Sequence, residues 1–144
     1  MSSSATTPAA SQLTELPELT TVYQVINTLY HESNSESKEA ASKWLASLQS
    51  SIFAWKIADD LLIARYDVET CYFAAQTLRT KLQSSFHELP AESYSSLKDS
   101  IINHLKTIKE SVIQTQLALA ITYFAILGER QKISLIFSLT LSLL

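Results

Sequence analysis

Between Lys38 and Gln83 the chain carries three apolar stripes at helical spacing, with almost no residues left over for loops. Ala41, Trp44, Leu45, Leu48 and Ile52 fall at i, i+3, i+4, i+7 and i+11, which is one face of a 3.6-residue period. Ala54, Ile57, Ala58, Leu61 and Leu62 make a second stripe. Val68, Cys71, Tyr72, Ala75, Leu78, Leu82 and Phe86 make a third and longer one. Asp67 stands where an N-cap restarts the chain, with Glu69 in the first turn that follows. Amphipathic helices joined by such tight corners stack side by side as a helical solenoid.

One glycine and three prolines in 144 residues are too little turn chemistry for a sheet protein with many hairpins. The expected fold class is therefore all-α. At this length, with 47% hydrophobic residues, one domain with a sizeable and elongated core is expected. A net charge of -3, with 11 Lys and Arg scattered along the chain, excludes the clustered basic surface that nucleic-acid binding needs. The single cysteine, Cys71, cannot form an internal disulfide and lies on an apolar stripe, so it reads as a small buried hydrophobe in a reducing compartment. Residues 1–17, MSSSATTPAASQLTELP, lack the basic and apolar regions of a secretory signal and the arginines of a transit peptide. They read as a flexible leader.

Leu19, Val22, Tyr23, Ile26, Leu29 and Tyr30 predict a helix after Pro17, closed by the polar break HESNSES. Leu89-Pro90 predicts that the long third stripe ends near His87 or Glu88. Tyr94, Leu97, Ile101, His104 or Leu105, and Ile108 predict a fifth helix. Ser111 with Gln114 three residues on offers a capping box for a sixth, running to about Leu127. Six helices starting near 18, 38, 52, 67, 93 and 111 pair into three units roughly 34 and 41 residues apart, a paired-helix repeat whose spacing alone does not choose between tetratricopeptide and HEAT or armadillo units, the inequality favouring HEAT. After Leu127, GERQK leads into ISLIFSLTLSLL, which shows no charge and no helical stripe. That segment is short of the ~20 apolar residues of a membrane span, and joining it to the sixth helix would place Glu129, Arg130 and Lys132 in mid-membrane. No membrane anchor is expected.

TVYQVINTLYH, ASKWLASLQSSIFAWKIADDLL and DVETCYFAAQTLRTKLQSSFHELP together resemble the amino-terminal region of the importin-β (karyopherin) superfamily, within it the transportin-SR branch. The resemblance covers Leu19 to Ala120. It implies a right-handed HEAT-like solenoid, cytoplasmic and nuclear location, and binding of the small GTPase Ran in its GTP form by the B helices of the first three repeats. Those helices are the ones starting near 38, 67 and 111. It also implies cargo, Arg/Ser-rich proteins such as splicing factors, held largely by later repeats that this chain does not contain. Residues 18–127 are then the importin-type repeat domain, and 128–144 a divergent apolar tail. From TYFAILGERQK onward the family pattern stops, as a truncated, alternatively spliced or misread frame would produce. A generic helical-repeat interaction module without transport activity is the alternative reading.

With Tyr72, Ala75, Leu78 and Leu82 turned inward, Glu69, Gln76, Arg79, Thr80 and Gln83 share the opposite side of their helix. By the resemblance these five, with Lys38, Ser42 and Gln49 on the preceding B helix, are the candidate Ran-facing residues. Trp44 and Trp55 belong to the buried stripes. His31, His87 and His104 have no partners at metal-ligand spacing, and Asp59-Asp60 reads as a lone acidic pair at a solvent-facing turn. Without a glycine-rich phosphate loop, a nucleophile elbow or a paired nucleophile and base, neither catalysis nor a cofactor is expected.

Overall fold

A computed structural model describes residues 13–143, so the leader falls largely outside the described residues. Leu13, at its described end, packs against the core. Six helices follow: α1 (Leu19–His31), α2 (Ser35–Ser50), α3 (Ala54–Ala64), α4 (Val68–Ser84), α5 (Tyr94–Thr107) and α6 (Ser111–Ser142). No strand occurs among the described residues.

Local chemistry sets where these helices begin. Asp67 accepts a hydrogen bond from the backbone N–H of Thr70 at 2.7 Å and starts α4 as its sequence predicts. Asn34 does the same for α2, accepting from Glu36 N at 2.9 Å and Ser37 N at 3.3 Å. That cap moves the start of α2 back to Ser35, inside the expected polar break. The capping box expected at Ser111 does not form. Ser111 is already helical, and the Gln114 amide donates instead to the Ile108 carbonyl at 2.8 Å. α3 ends on Arg65 in the left-handed conformation, φ 51°, which turns the chain sharply into α4.

Helices α1, α3 and α5 form one layer and α2, α4 and α6 the other, with α1 on α2, α3 on α4 and α5 on α6 packing across the two. The core between them holds Trp44, Ile26, Leu48, Leu61, Leu62, Leu78, Leu82, Ile101 and Leu117. At roughly 1.5–3 kcal/mol per buried side chain, this two-layer core is the main source of stability. Ile52 and Val68, expected on buried stripes, are exposed. Each lies at a corner, where the helical period that placed it is interrupted. The third stripe also divides: α4 stops at Ser84, Phe86 enters the core from a 3-10 turn at Phe86–Glu88, and Leu89 follows directly after that turn, ahead of a second one at Ala91–Ser93.

The largest departure is α6. It does not end near Leu127 but continues for 32 residues, roughly 48 Å at the rise of an α-helix. Among the described residues it is the one helix long and apolar enough to cross a membrane by length and composition. Its first half is built into the solenoid through Ile113, Leu117, Ala120 and Phe124. Its second half leaves Ile133, Leu135, Ile136, Phe137, Leu139 and Leu141 exposed.

Gly128 lies inside this helix, and a Cβ built there meets nothing within 4 Å. Gly128→Ala is therefore expected to stabilise α6 by about 0.5–1 kcal/mol. Urea unfolding followed by far-UV ellipticity checks it; an unchanged midpoint and ellipticity would mean that α6 breaks at the glycine.

Candidate functional site

α4 lies at the centre of its layer, packed against α3, α6 and α1. Thr70, Phe73, Ala74, Thr77 and Lys81 are buried alongside the expected Cys71, Ala75, Leu78 and Leu82, leaving one narrow outward strip. The strip holds Glu69, Gln76, Arg79, Thr80 and Gln83 together, spanning about 21 Å at 1.5 Å per residue. Tyr72, expected to point inward, is half-buried and falls within the strip.

Its ends are tied to neighbouring helices. At one end His31 Nε2, at the last turn of α1, stands 3.8 Å from the Glu69 carboxylate. Beside it, burial first, then Tyr72 and Glu69, hold the Tyr30 hydroxyl above the usual tyrosine range. At the other end Arg79 Nε donates to Gln116 Oε1 on α6 at 2.5 Å, and its guanidinium reaches Gln83 Oε1 at 3.4 Å. Arg79 is thus as much a rung between two helices as a free cation. Gln49 on α2 is another rung, donating to Thr77 Oγ1 at 2.9 Å. Lys38 and Ser42 are exposed on α2, and no hydrogen bond or ion pair among the described residues joins them to the α4 strip. The sequence-based reading missed Tyr30 and His31, whose helix contacts α4 only in the folded chain.

Two buried polar clusters lie on the other side of the molecule. Asp59 is not a lone solvent-facing carboxylate: its Oδ1 is 2.9 Å from His104 Nε2 and accepts from Ser100 Oγ at 2.6 Å. The His104 hydrogen bond, reinforced by Ser100, outweighs burial and holds the Asp59 carboxyl below its ordinary range. Since an ionised carboxylate only accepts, His104 Nε2 carries the proton. Lys81, 2% exposed, makes a 2.7 Å ion pair with Glu88, whose Oε1 also accepts from Trp55 Nε1 at 3.2 Å. Both clusters clamp helices together and neither opens on an enclosed cavity. No group of three His, Cys, Asp or Glu side chains among the described residues could hold a metal ion. Burial raises the Cys71 thiol, which leaves it protonated and unreactive at neutral pH. The arrangement sets a polar strip on helices tied to one another by side-chain rungs.

Residues 41–107, which span α2 to α5 and include the strip, match the family model described as the importin-beta N-terminal domain. The chain belongs to the importin-β superfamily. Transportin MOS14 of Arabidopsis thaliana is 33% identical over 108 residues, 73% of this chain and 11% of that protein. Importin-13 of Homo sapiens is 29% identical over 107 residues, again 73% of this chain and 11% of the relative. The chain thus spans 11% of the length of these curated relatives. Both the superfamily and the all-α repeat fold agree with the resemblance carried by the helices from Leu19 onward.

Proposed function

We propose that this chain is the Ran-binding amino-terminal repeat region of a nuclear transport receptor, acting by binding and not by catalysis. The match of residues 41–107 to the importin-beta N-terminal domain carries this reading. The strip on α4, framed by Tyr30 and His31 on one side and Gln116 on the other, is the surface offered to Ran in its GTP form. Lys38, Ser42 and Gln49 extend it onto α2. In a longer receptor, later repeats would hold cargo, Arg/Ser-rich proteins such as splicing factors among them, and carry it between cytoplasm and nucleus. The two-layer helical stack provides for exchange between partners, because each repeat contacts only its neighbours and the array flexes as a whole.

The second reading, a generic helical-repeat interaction module without transport activity, is favoured by the apolar second half of α6, which departs from the family pattern. The two readings separate on the strip. Gln76→Arg with Thr80→Arg places two bulky cations on outward positions and is expected to weaken Ran-GTP binding at least about tenfold, ~1.4 kcal/mol. Lys56→Ala, on an exposed site of α3, should leave binding unchanged. Titration calorimetry on the full chain, with helicity checked in parallel, provides the measurement. Wild-type affinity in a folded double variant would remove the strip from the proposal.

A further inference from the structure

Along α6, Val112, Leu119, Ile126, Ile133 and Thr140 recur every seven residues. The four apolar members are 55%, 41%, 49% and 64% exposed, and they lie opposite the face that Ile113, Leu117, Ala120 and Phe124 bury. Three residues after each stand Thr115, Thr122, Glu129, Ile136 and Leu143. Seven-residue spacing with a second set at the next three-residue step is the register of a coiled-coil seam; here the first set is apolar at four of five positions and the second at its last two, Ile136 and Leu143. Two threonines, Thr122 and Thr140, fit this role. Thr122 Oγ1 donates to the Ala118 carbonyl at 2.9 Å and Thr140 to Ile136 at 2.8 Å. With their hydroxyl protons held by their own helix, they can turn their methyl groups to a partner without losing a hydrogen bond.

We propose that α6 pairs antiparallel with α6 of a second copy of this chain through the seam. Direction follows from charge. Parallel pairing would set Glu129 against Glu129 inside the seam, whereas an antiparallel pair with its two-fold axis midway between Glu129 and Ile133 offsets these carboxylates by about 6 Å along the helices. The same register sets Leu119 against Leu143, Ile126 against Ile136 and Thr122 against Thr140 of the other copy. It also brings Arg130 and Lys132 of both copies around the Glu129 pair.

Area supports a copy as the occupant. Leu119, Ile126, Ile133, Ile136, Phe137, Leu139 and Leu143 are each at least 41% exposed. At roughly 100 Å² each they offer roughly 700 Å² per copy, close to the ~800 Å² that each partner brings to a stable interface. A bilayer is the weaker fit, because the first half of α6 is packed into the solenoid through Ile113, Leu117, Ala120 and Phe124, and Glu129, Arg130 and Lys132 interrupt the apolar run at its middle. This pairing stands independently of Ran binding.

Sedimentation of the full chain at micromolar concentration tests it. The wild type is expected at dimer mass, and Ile133→Glu, at a solvent-facing site, to weaken association by about a hundredfold or more with unchanged helicity. Ile136→Lys provides a second variant with the same expected outcome. The double variant Ile126→Cys/Ile136→Cys is expected to cross-link copies on oxidation, whereas Ile133→Cys alone is not. A monomeric wild type, or a dimer that survives both charged variants, would overturn the pairing. Cross-linking by Ile133→Cys alone would overturn its antiparallel register. Flotation of a monomeric wild-type chain with phosphatidylcholine vesicles would assign the helix to a membrane surface and overturn the proposal as well.

Discussion

Alanine in place of Trp44 is expected to lower the free energy of unfolding by about 3–5 kcal/mol, a large part of what a domain of this size possesses. Trp44 is 1% exposed and joins α2 to the core, so its removal leaves a large cavity that rigid helices on both sides cannot fill. Phenylalanine at the same position should cost much less than its lost volume implies. The Trp44 indole N–H is buried without a hydrogen-bond partner, and removing it relieves a penalty of roughly 1–3 kcal/mol that partly offsets the smaller ring. Urea unfolding monitored by far-UV ellipticity measures both variants. Equal destabilisation by alanine and phenylalanine would show that the indole N–H is satisfied after all.

Glu88→Gln is the second substitution with a large expected effect. Lys81 is almost fully buried, and its ammonium has Glu88 as its ion-pair partner, with the Trp55 ring centroid 5.9 Å away. Breaking a buried pair from one side costs about 3–5 kcal/mol, and because the Glu88 side chain retains 22% exposure a loss of about 2–3 kcal/mol is expected here. The double variant Glu88→Gln/Lys81→Met should recover most of that loss, since no buried charge then lacks a partner. Acid exposes the same pair. Burial pushes the Glu88 carboxyl up, but hydrogen bonds from Lys81 and Trp55 with the Lys81 charge together bring it below its ordinary range. Its folded value being the lower one, the contribution is complete above the unfolded carboxylate range and disappears as pH falls through the folded value. Stability should therefore decline on acidification, and the decline should be shallower in Glu88→Gln. An identical pH profile in wild type and variant would remove the pair from the account.

The helical period makes most of this architecture legible in the sequence, because the stripes on α1 to α5 are one-sided and a one-sided stripe has a single way to be buried. Asp67 was readable as a cap for the same local reason. What escaped depends on contacts between distant residues or on a different period. Asp59 looks exposed until α5 brings Ser100 and His104 against it. Lys81 looks like an ordinary helical cation until the 3-10 turn returns Glu88 to it. The second half of α6 shows no 3.6-residue stripe because apolar residues surround it, and its seven-residue repeat emerges only when residues 112 to 143 are followed as one helix. On α4 the polar strip was legible as a face, but its width was not: Tyr72, on the apolar stripe by spacing, is half-buried and lies within it.

Nucleotide dependence tests the central reading most directly. Titration calorimetry of the full, folded chain against Ran loaded with a non-hydrolysable GTP analogue, and separately with GDP, should give saturable binding to the GTP form and at least tenfold weaker binding to the GDP form. Equal binding to both forms, or to neither, would contradict it.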